Sequence, residues 1–94
     1  MGKTVDYKNR DRFIQLGISI AAWRKIRGIS QEQLAEKAHV SRSHISYIEA
    51  PNLAYSFSLE VLYNICDALD ITPEDLLKTA KFADETFIEK ENRQ

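Results

Sequence analysis

The chain has 94 residues and a net charge of −1, and 44% of its residues are hydrophobic. A chain of this length forms one domain with a small core, which excludes a large internal substrate cavity. Its single cysteine, Cys66, excludes an intrachain disulfide. It shows neither an apolar leader nor a run of about 18 apolar residues, so we expect a cytoplasmic protein without a membrane segment.

The charges are unevenly divided along the chain. Residues 1–48 carry nine Lys/Arg and four Asp/Glu, a net of +5, whereas residues 49–94 carry four and ten, a net of −6. This asymmetry fits a protein with one face that meets an anion. It fits equally well with chance clustering of charges on a solvated surface.

Apolar residues recur at three- and four-residue spacing, which is typical of helices, and strand signals are weak. The pattern predicts an all-α domain of five helices. They run from about Tyr7 or Asp11 to Arg27, then over residues 31–38, 42–50, 59–69 and 73 to about 80. We assign residues 1–10 to an N-terminal arm or helix extension, 11–80 to the domain and 81–94 to an acidic tail or extra helix.

Four of the predicted helices begin with the same local device. A Ser or Thr N-cap follows an apolar residue that can pack on the residue five positions ahead. The caps are Ser30, Ser41, Ser58 and Thr72, and the apolar pairs are Ile29 with Leu34, Val40 with Ile45, Phe57 with Leu62 and Ile71 with Leu76. Gln33 completes a capping box with Ser30. Gly28 is expected to end the first helix in the left-handed region.

The second and third helices are about two turns each and are joined only by His39 and Val40. A connection this short forces the helices to cross at a steep angle, which is the arrangement of a helix-turn-helix unit. His39 is expected to take the left-handed conformation, which His tolerates less easily than Gly or Asn.

The stretch from Leu16 to Leu77 resembles the phage-repressor-like (XRE-type) helix-turn-helix family. That family reads, roughly, L-G-x-x-I-x-x-L-R-x-x-x-G-[LI]-S-Q-x-x-L-A-x-x-A-G-V-S-x-x-x-I-S-x-[IL]-E. The matching residues are Leu16, Gly17, Ile20, Arg24, Gly28, Ile29, Ser30, Gln31, Leu34, Ala35, Ala38, Val40, Ser41, Ile45, Ser46, Ile48 and Glu49. The resemblance implies a lambda-repressor-like, five-helix fold that binds double-stranded DNA.

The resemblance also implies that the third helix is the recognition helix, which lies in the major groove of DNA. The predicted DNA-binding residues are Gln31, Ser41, Arg42, Ser43, His44, Ser46 and Tyr47. Arg42 can hold guanine O6 and N7 with two hydrogen bonds, or it can bind phosphate without sequence preference. Tyr47 can meet a thymine methyl group or a phosphate, and the His44 position in the family often points partly toward the second helix.

Two further roles follow from the resemblance. Gln31 is implied to bind a DNA phosphate, although it is also simply a good residue for a first helical turn. Arg24 and Glu49 are implied to form a structural ion pair that fixes the first helix against the recognition helix. A direct contact between Arg24 and DNA is the alternative.

Two features depart from the family pattern. Ile18, Ala22 and Ile26 stand where the family usually has polar residues, and their spacing places them in one stripe on the first helix. The stripe is a candidate partner surface, covered by the tail through Phe82, Phe87 and Ile88 or by a second copy of the protein. The alternative is that the three residues are simply apolar residues scattered on the surface. The loop APNLAYSF lacks the Gly and basic residues that are common after the third helix in the family.

No catalytic constellation, cofactor motif or metal site emerges, since His39 and His44 match no metal-ligand spacing. Cys66 falls on the apolar face of the fourth helix and is expected in the core. The sequence therefore predicts a non-enzymatic, sequence-specific transcriptional regulator without a cofactor. We expect a repressor that acts as a homodimer on a pseudo-palindromic operator. Two alternatives are an antitoxin that binds DNA and also docks a toxin partner, and a protein-interaction module without DNA affinity.

Overall fold

The computed structural model describes residues 5–80, which form helices and turns without any strand. A short 3-10 turn at Tyr7–Asn9 leads into the first helix. The α-helices are α1 at Arg10–Ile26, α2 at Gln31–Ala38, α3 at Arg42–Glu49, α4 at Leu59–Leu69 and α5, helical over residues 73–80. The prediction of an all-α domain with five helices is confirmed, and α2 and α4 have their predicted bounds.

Two of the predicted helices end one residue earlier than predicted. The first helix begins at Arg10, after the 3-10 turn, and Arg27 is its C-cap rather than its last residue. The third helix ends at Glu49 because Ala50 is extended, with φ −64° and ψ 120°. A proline disfavours the helical region for the residue before it, so Pro51 ends α3 at Glu49.

The four predicted N-caps are present. The hydroxyls of Ser30, Ser41, Ser58 and Thr72 each accept a hydrogen bond, at 3.0–3.1 Å, from the backbone N–H three residues ahead. The Gln33 side chain accepts from the Ser30 N–H at 2.8 Å and completes the predicted capping box. Asp75 accepts from the Thr72 N–H at 3.2 Å in the same reciprocal way, a second capping box beyond the predicted one.

The apolar partners of these caps build the core. Leu34, Ile45, Leu62 and Leu76 are buried, and the residues that precede the caps, Ile29, Val40, Phe57 and Ile71, are partly buried against them. Cys66 lies in the same core, as predicted, and burial raises the pKa of its thiol to about 11. The thiol is therefore protonated at neutral pH and behaves as a small apolar side chain.

Within residues 5–80, three residues adopt the left-handed region, each just after a helix. Gly28 has φ +72°, as predicted, and His39 has φ +61°, also as predicted. Asp70 ends α4 with φ +57°, a left-handed residue that is not among the predicted ones. These residues reverse the chain so that α2 packs against both α3 and α4, while α1 packs against α3.

One side of α1 is tied to the end of the described chain. Ser19 Oγ donates to the Leu76 carbonyl at 3.3 Å, and Trp23 Nε1 donates to Thr79 Oγ1 at 3.3 Å. Arg27 closes the C-terminus of α4 by donating to the Leu69 carbonyl at 2.7 Å. Within residues 5–80, no helix is long and apolar enough to cross a membrane.

Candidate nucleic-acid interface

The outward face of α3 carries most of the predicted DNA-binding side chains. Arg42, Ser43 and Ser46 are exposed, and Tyr47 is 50% exposed. The opposite face of α3 is held in the core by Ile45, which is fully buried. A short helix with one face fixed and the other polar and open can present its side chains to a partner with little loss of order.

Arg42 lies beside a shallow open cleft between the N-terminal ends of α2 and α3. The cleft has a volume of about 470 Å³ and is lined by Arg24, Ser30, Gln31, Glu32 and Arg42. Within residues 5–80, the Arg42 guanidinium makes no hydrogen bond or ion pair. Its five N–H donors therefore remain available to a ligand.

A buried carboxylate, that of Glu49, joins three helices. Arg24 in α1 donates from Nε to Oε2 at 2.8 Å and from Nη2 to Oε1 at 3.1 Å. Gln31 in α2 donates from Nε2 to Oε1 at 2.9 Å. The side chains of Arg24 and Glu49 are only 12% and 4% exposed. Arg24 also donates from Nη1 to the Ile29 carbonyl at 2.8 Å, so all three of its nitrogens are engaged within the protein.

The Gln31 side chain therefore has a partner within the protein, whereas the resemblance implies that it binds a DNA phosphate. Its side-chain amide points to Glu49, and the sequence pattern gave no indication of this hydrogen bond. A primary amide has two N–H groups, so one remains beside the backbone N–H groups that open α2. These groups lie along the cleft that Arg42 borders.

Gly17 makes a close contact with the backbone of α3 that the sequence did not predict. A Cβ atom added to Gly17 would overlap the backbone carbonyl oxygen of Ile48 and lie 3.1 Å from its carbonyl carbon. Gly17 thus lets α1 touch the backbone of α3, one residue before Glu49. A glycine in the middle of a helix costs stability relative to alanine, and that cost is a sequence signal of such a close approach.

His44 is the predicted outward residue whose placement differs most from the prediction. It is half-buried and contacts Tyr55, in the loop after α3. Its Nδ1 lies 2.8 Å from the Tyr55 hydroxyl, and the two rings meet edge to face at 5.2 Å. Burial lowers the pKa of His44 from its usual value of 6.5. No pattern in the sequence indicated the contact with Tyr55, because the loop has no regular spacing.

The predicted stripe on α1 is exposed. Ile18 is 40% exposed and Ile26 is 67% exposed, and Ala22 between them is also exposed. The stripe lies beside the side of α1 that holds α5 through Ser19 and Trp23. The tail residues Phe82, Phe87 and Ile88, one of the two predicted covers, lie outside the described residues.

Comparison with known proteins gives concordant matches. The model of a protein family described as helix-turn-helix matches residues 20–76. The HTH-type transcriptional regulator SinR of Bacillus subtilis (strain 168) is 39% identical over 62 residues, which are 66% of this chain and 55% of that protein. SinR of Bacillus licheniformis gives the same values. The chain thus spans only about half of the length of these curated relatives.

Solved structures of regulators share the fold. The clp gene regulator ClgR from Corynebacterium glutamicum is similar with a TM-score of 0.76 and 27% identity, covering 87% of this chain and 84% of that one. The restriction-modification controller protein C.AhdI from Aeromonas hydrophila gives 0.64 and 29%, covering 69% and 96%. Because the helix-turn-helix match at residues 20–76 covers more than half of the chain, the chain belongs to the phage-repressor-like, XRE-type helix-turn-helix family.

Proposed function

We propose that the chain binds double-stranded DNA with sequence specificity and regulates transcription, with α3 as the recognition helix. The observation that carries this proposal is the exposure of the Arg42 side chain on α3. It is exposed at the first position of α3, free of ion pairs within the described residues, and flanked by exposed Ser43 and Ser46. A guanidinium in this position can hold the two acceptors of guanine in the major groove.

The remaining predicted contacts have distinct roles in the proposal. Ser43 and Ser46 offer hydroxyls to base edges, and Tyr47 reaches a thymine methyl group or a phosphate. Gln31 supplies its second amide hydrogen to a phosphate, next to the N–H groups that open α2. Ser41 contributes by capping α3, because its hydroxyl is already bonded to the His44 N–H at 3.1 Å.

The proposal extends to the oligomeric state of the protein and to its effect on transcription. One α3 helix offers few readable side chains, so we place two copies on a pseudo-palindromic operator. Their recognition helices would lie about 34 Å apart on one side of the duplex. We assign the protein the role of a repressor in the cytoplasm.

Fluorescence anisotropy tests the DNA-binding proposal. Wild type, Arg42→Ala and Lys78→Ala are titrated against a duplex from upstream of the protein's own gene and against an unrelated duplex. Arg42→Ala is expected to lose affinity for the first duplex by roughly 5- to 150-fold, the value of one guanine contact. Lys78→Ala removes the same charge from exposed α5 and is expected to match wild type.

The outcomes separate the alternatives. Base readout by Arg42 predicts that the loss is larger for the upstream duplex than for the unrelated one, whereas a phosphate contact predicts equal losses and a smaller salt dependence. A wild-type protein that binds neither duplex at low salt would overturn the proposal and favour the protein-interaction module.

A second function, binding of a protein at the α1 stripe, is favoured by the exposure of Ile18 and Ile26. If the occupant is a second copy, wild type is expected to sediment as a dimer and Ile26→Glu as a monomer, because a carboxylate in an apolar contact is costly. Lys25→Glu, an exposed neighbour in α1, serves as control. A dimer that survives Ile26→Glu would exclude this contact. A monomeric wild type that co-purifies with another protein would favour the antitoxin alternative.

A further inference from the structure

The His44 ring is fixed by a residue outside the helix-turn-helix unit. Tyr55 belongs to the loop between α3 and α4 and is partly buried against the core. Its hydroxyl is 2.8 Å from His44 Nδ1. Its ring also packs against Tyr47, with centroids 5.4 Å apart. One loop tyrosine therefore supports two side chains of the proposed DNA-facing surface.

The chemistry of this pair determines where the His44 proton lies. A phenol O–H is a stronger donor than a neutral imidazole N–H, and an imidazole nitrogen is a stronger acceptor than a phenol oxygen. The Tyr55 O–H therefore donates to Nδ1, and the bond made by one imidazole nitrogen decides the protonation of the other. The proton of the neutral ring then lies on Nε2. Because burial lowers the pKa of His44, the ring is neutral at pH 7.5.

Nε2 is open to a ligand. Within residues 5–80, His44 Nε2 has no hydrogen-bond partner. Every buried side-chain nitrogen or oxygen in this range does have a partner, so Nε2 is not buried. His44 thus presents one N–H donor and no acceptor. His44 lies on the side of α3 that faces the loop with Tyr55, whereas Arg42 lies at the N-terminal end of α3.

We infer that His44 Nε2–H donates a hydrogen bond to a DNA phosphate, and that Tyr55 is the positioning residue that fixes the tautomer needed for it. The inference rests on the proposed function. A phosphate offers only acceptors, which suits a group that only donates. The side of a recognition helix lies nearer to the DNA backbone than to the base edges. The loop over residues 50–58 has no basic residue, so this part of the proposed DNA-facing surface offers a phosphate neutral donors rather than a cation.

The tautomer can be measured without DNA. Nitrogen-15 NMR of the imidazole rings is expected to show the Nε2–H form for His44 in wild type and a mixture of tautomers in Tyr55→Phe. Tyr63→Phe removes a hydroxyl from an exposed residue of α4 and is expected to leave the His44 signals unchanged. The exposed His39 serves as internal reference. An Nδ1–H form in wild type would overturn the inference, whatever the protein binds.

Anisotropy titrations then test the phosphate contact. Tyr55→Phe and His44→Phe are expected to lose roughly 3- to 10-fold in affinity, the value of one hydrogen bond. The loss should be equal for the upstream and the unrelated duplex. His44→Gln keeps an N–H donor at a similar position and is expected to recover part of the affinity. Because no charge is lost at pH 7.5, the slope of log affinity against log salt should stay that of wild type.

Each other outcome overturns the inference in an identifiable way. A loss confined to the upstream duplex would assign His44 to a base, and a slope reduced by about one would assign it a cationic contact. If Arg42→Ala weakens binding while Tyr55→Phe and His44→Phe do not, the proposed function stands and this inference fails. If wild type binds no DNA, both fail, and the tautomer remains as a structural feature only.

Discussion

Gly17→Ala is expected to lower the free energy of unfolding by about 2 kcal/mol, which corresponds to a fall in Tm of roughly 8–16 °C for a domain of this size. The added methyl group would overlap the Ile48 carbonyl oxygen, and the nearby atoms belong to the backbone of α3 rather than to a flexible side chain. The higher helix propensity of alanine offsets only about 1 kcal/mol of this cost. Urea unfolding monitored by circular dichroism measures the difference.

The same substitution should weaken DNA binding by more than partial unfolding explains. To relieve the overlap, α3 must move away from α1, and the proposed recognition surface moves with it. Gly28→Ala is the matched control, since a Cβ atom there has no neighbour within 4 Å and meets only the strain of φ +72°. It is expected to cost about 1 kcal/mol and to leave DNA affinity unchanged at temperatures where it is folded. Equal stability of Gly17→Ala and wild type would mean that α1 and α3 are not in this close contact.

Glu49→Ala is expected to destabilise the protein by about 3–5 kcal/mol, the usual cost of removing one partner of a buried ion pair. Arg24 would keep its charge with only the Ile29 carbonyl as acceptor, and the Gln31 amide would lose its partner. Small domains are stable by only about 5–15 kcal/mol, so this loss is a large share of the total free energy of unfolding. Thermal and urea unfolding measure the loss. Lys25→Met, an exposed cation in the same helix, is expected to change stability by less than about 0.5 kcal/mol.

The double variant Arg24→Met, Glu49→Leu keeps this prediction testable if Glu49→Ala does not fold. Apolar residues of similar size often replace a buried ion pair at little cost. We therefore expect the double variant to be more stable than either single variant, with a large coupling free energy in the double-mutant cycle. Costs of Arg24→Met and Glu49→Leu that simply add would show that the two side chains do not depend on each other.

The helix starts could be predicted because they depend on neighbours in the chain. A cap such as Ser58 bonds to a backbone N–H three residues ahead, and its flanking residues Phe57 and Leu62 enter the same core. Sequence alone therefore placed α2 and α4 correctly. The third helix ends one residue before the position that its sequence pattern predicts, because Pro51 disfavours the helical region for Ala50.

The candidate site was less predictable, since its contacts join residues far apart in the chain. The sequence placed Arg42, Ser43 and Ser46 on the open face of α3, because helical period and buried neighbours determine that face. It did not indicate that Tyr55 would hold His44. A loop without periodicity gives no direction for its side chains, and only the packed core fixes where Tyr55 lies.

By itself, then, the sequence determined the helices, their caps, the turn at His39 and the face of α3 that stays polar. Each of these depends on interactions within about one helical turn, which spacing along the chain encodes. The tertiary structure decided that Gly17 touches α3, that Gln31 shares Glu49 with Arg24, and that Tyr55 fixes His44. These contacts exist only after the helices have docked, because burial of the common core sets the distances between elements that the chain leaves far apart.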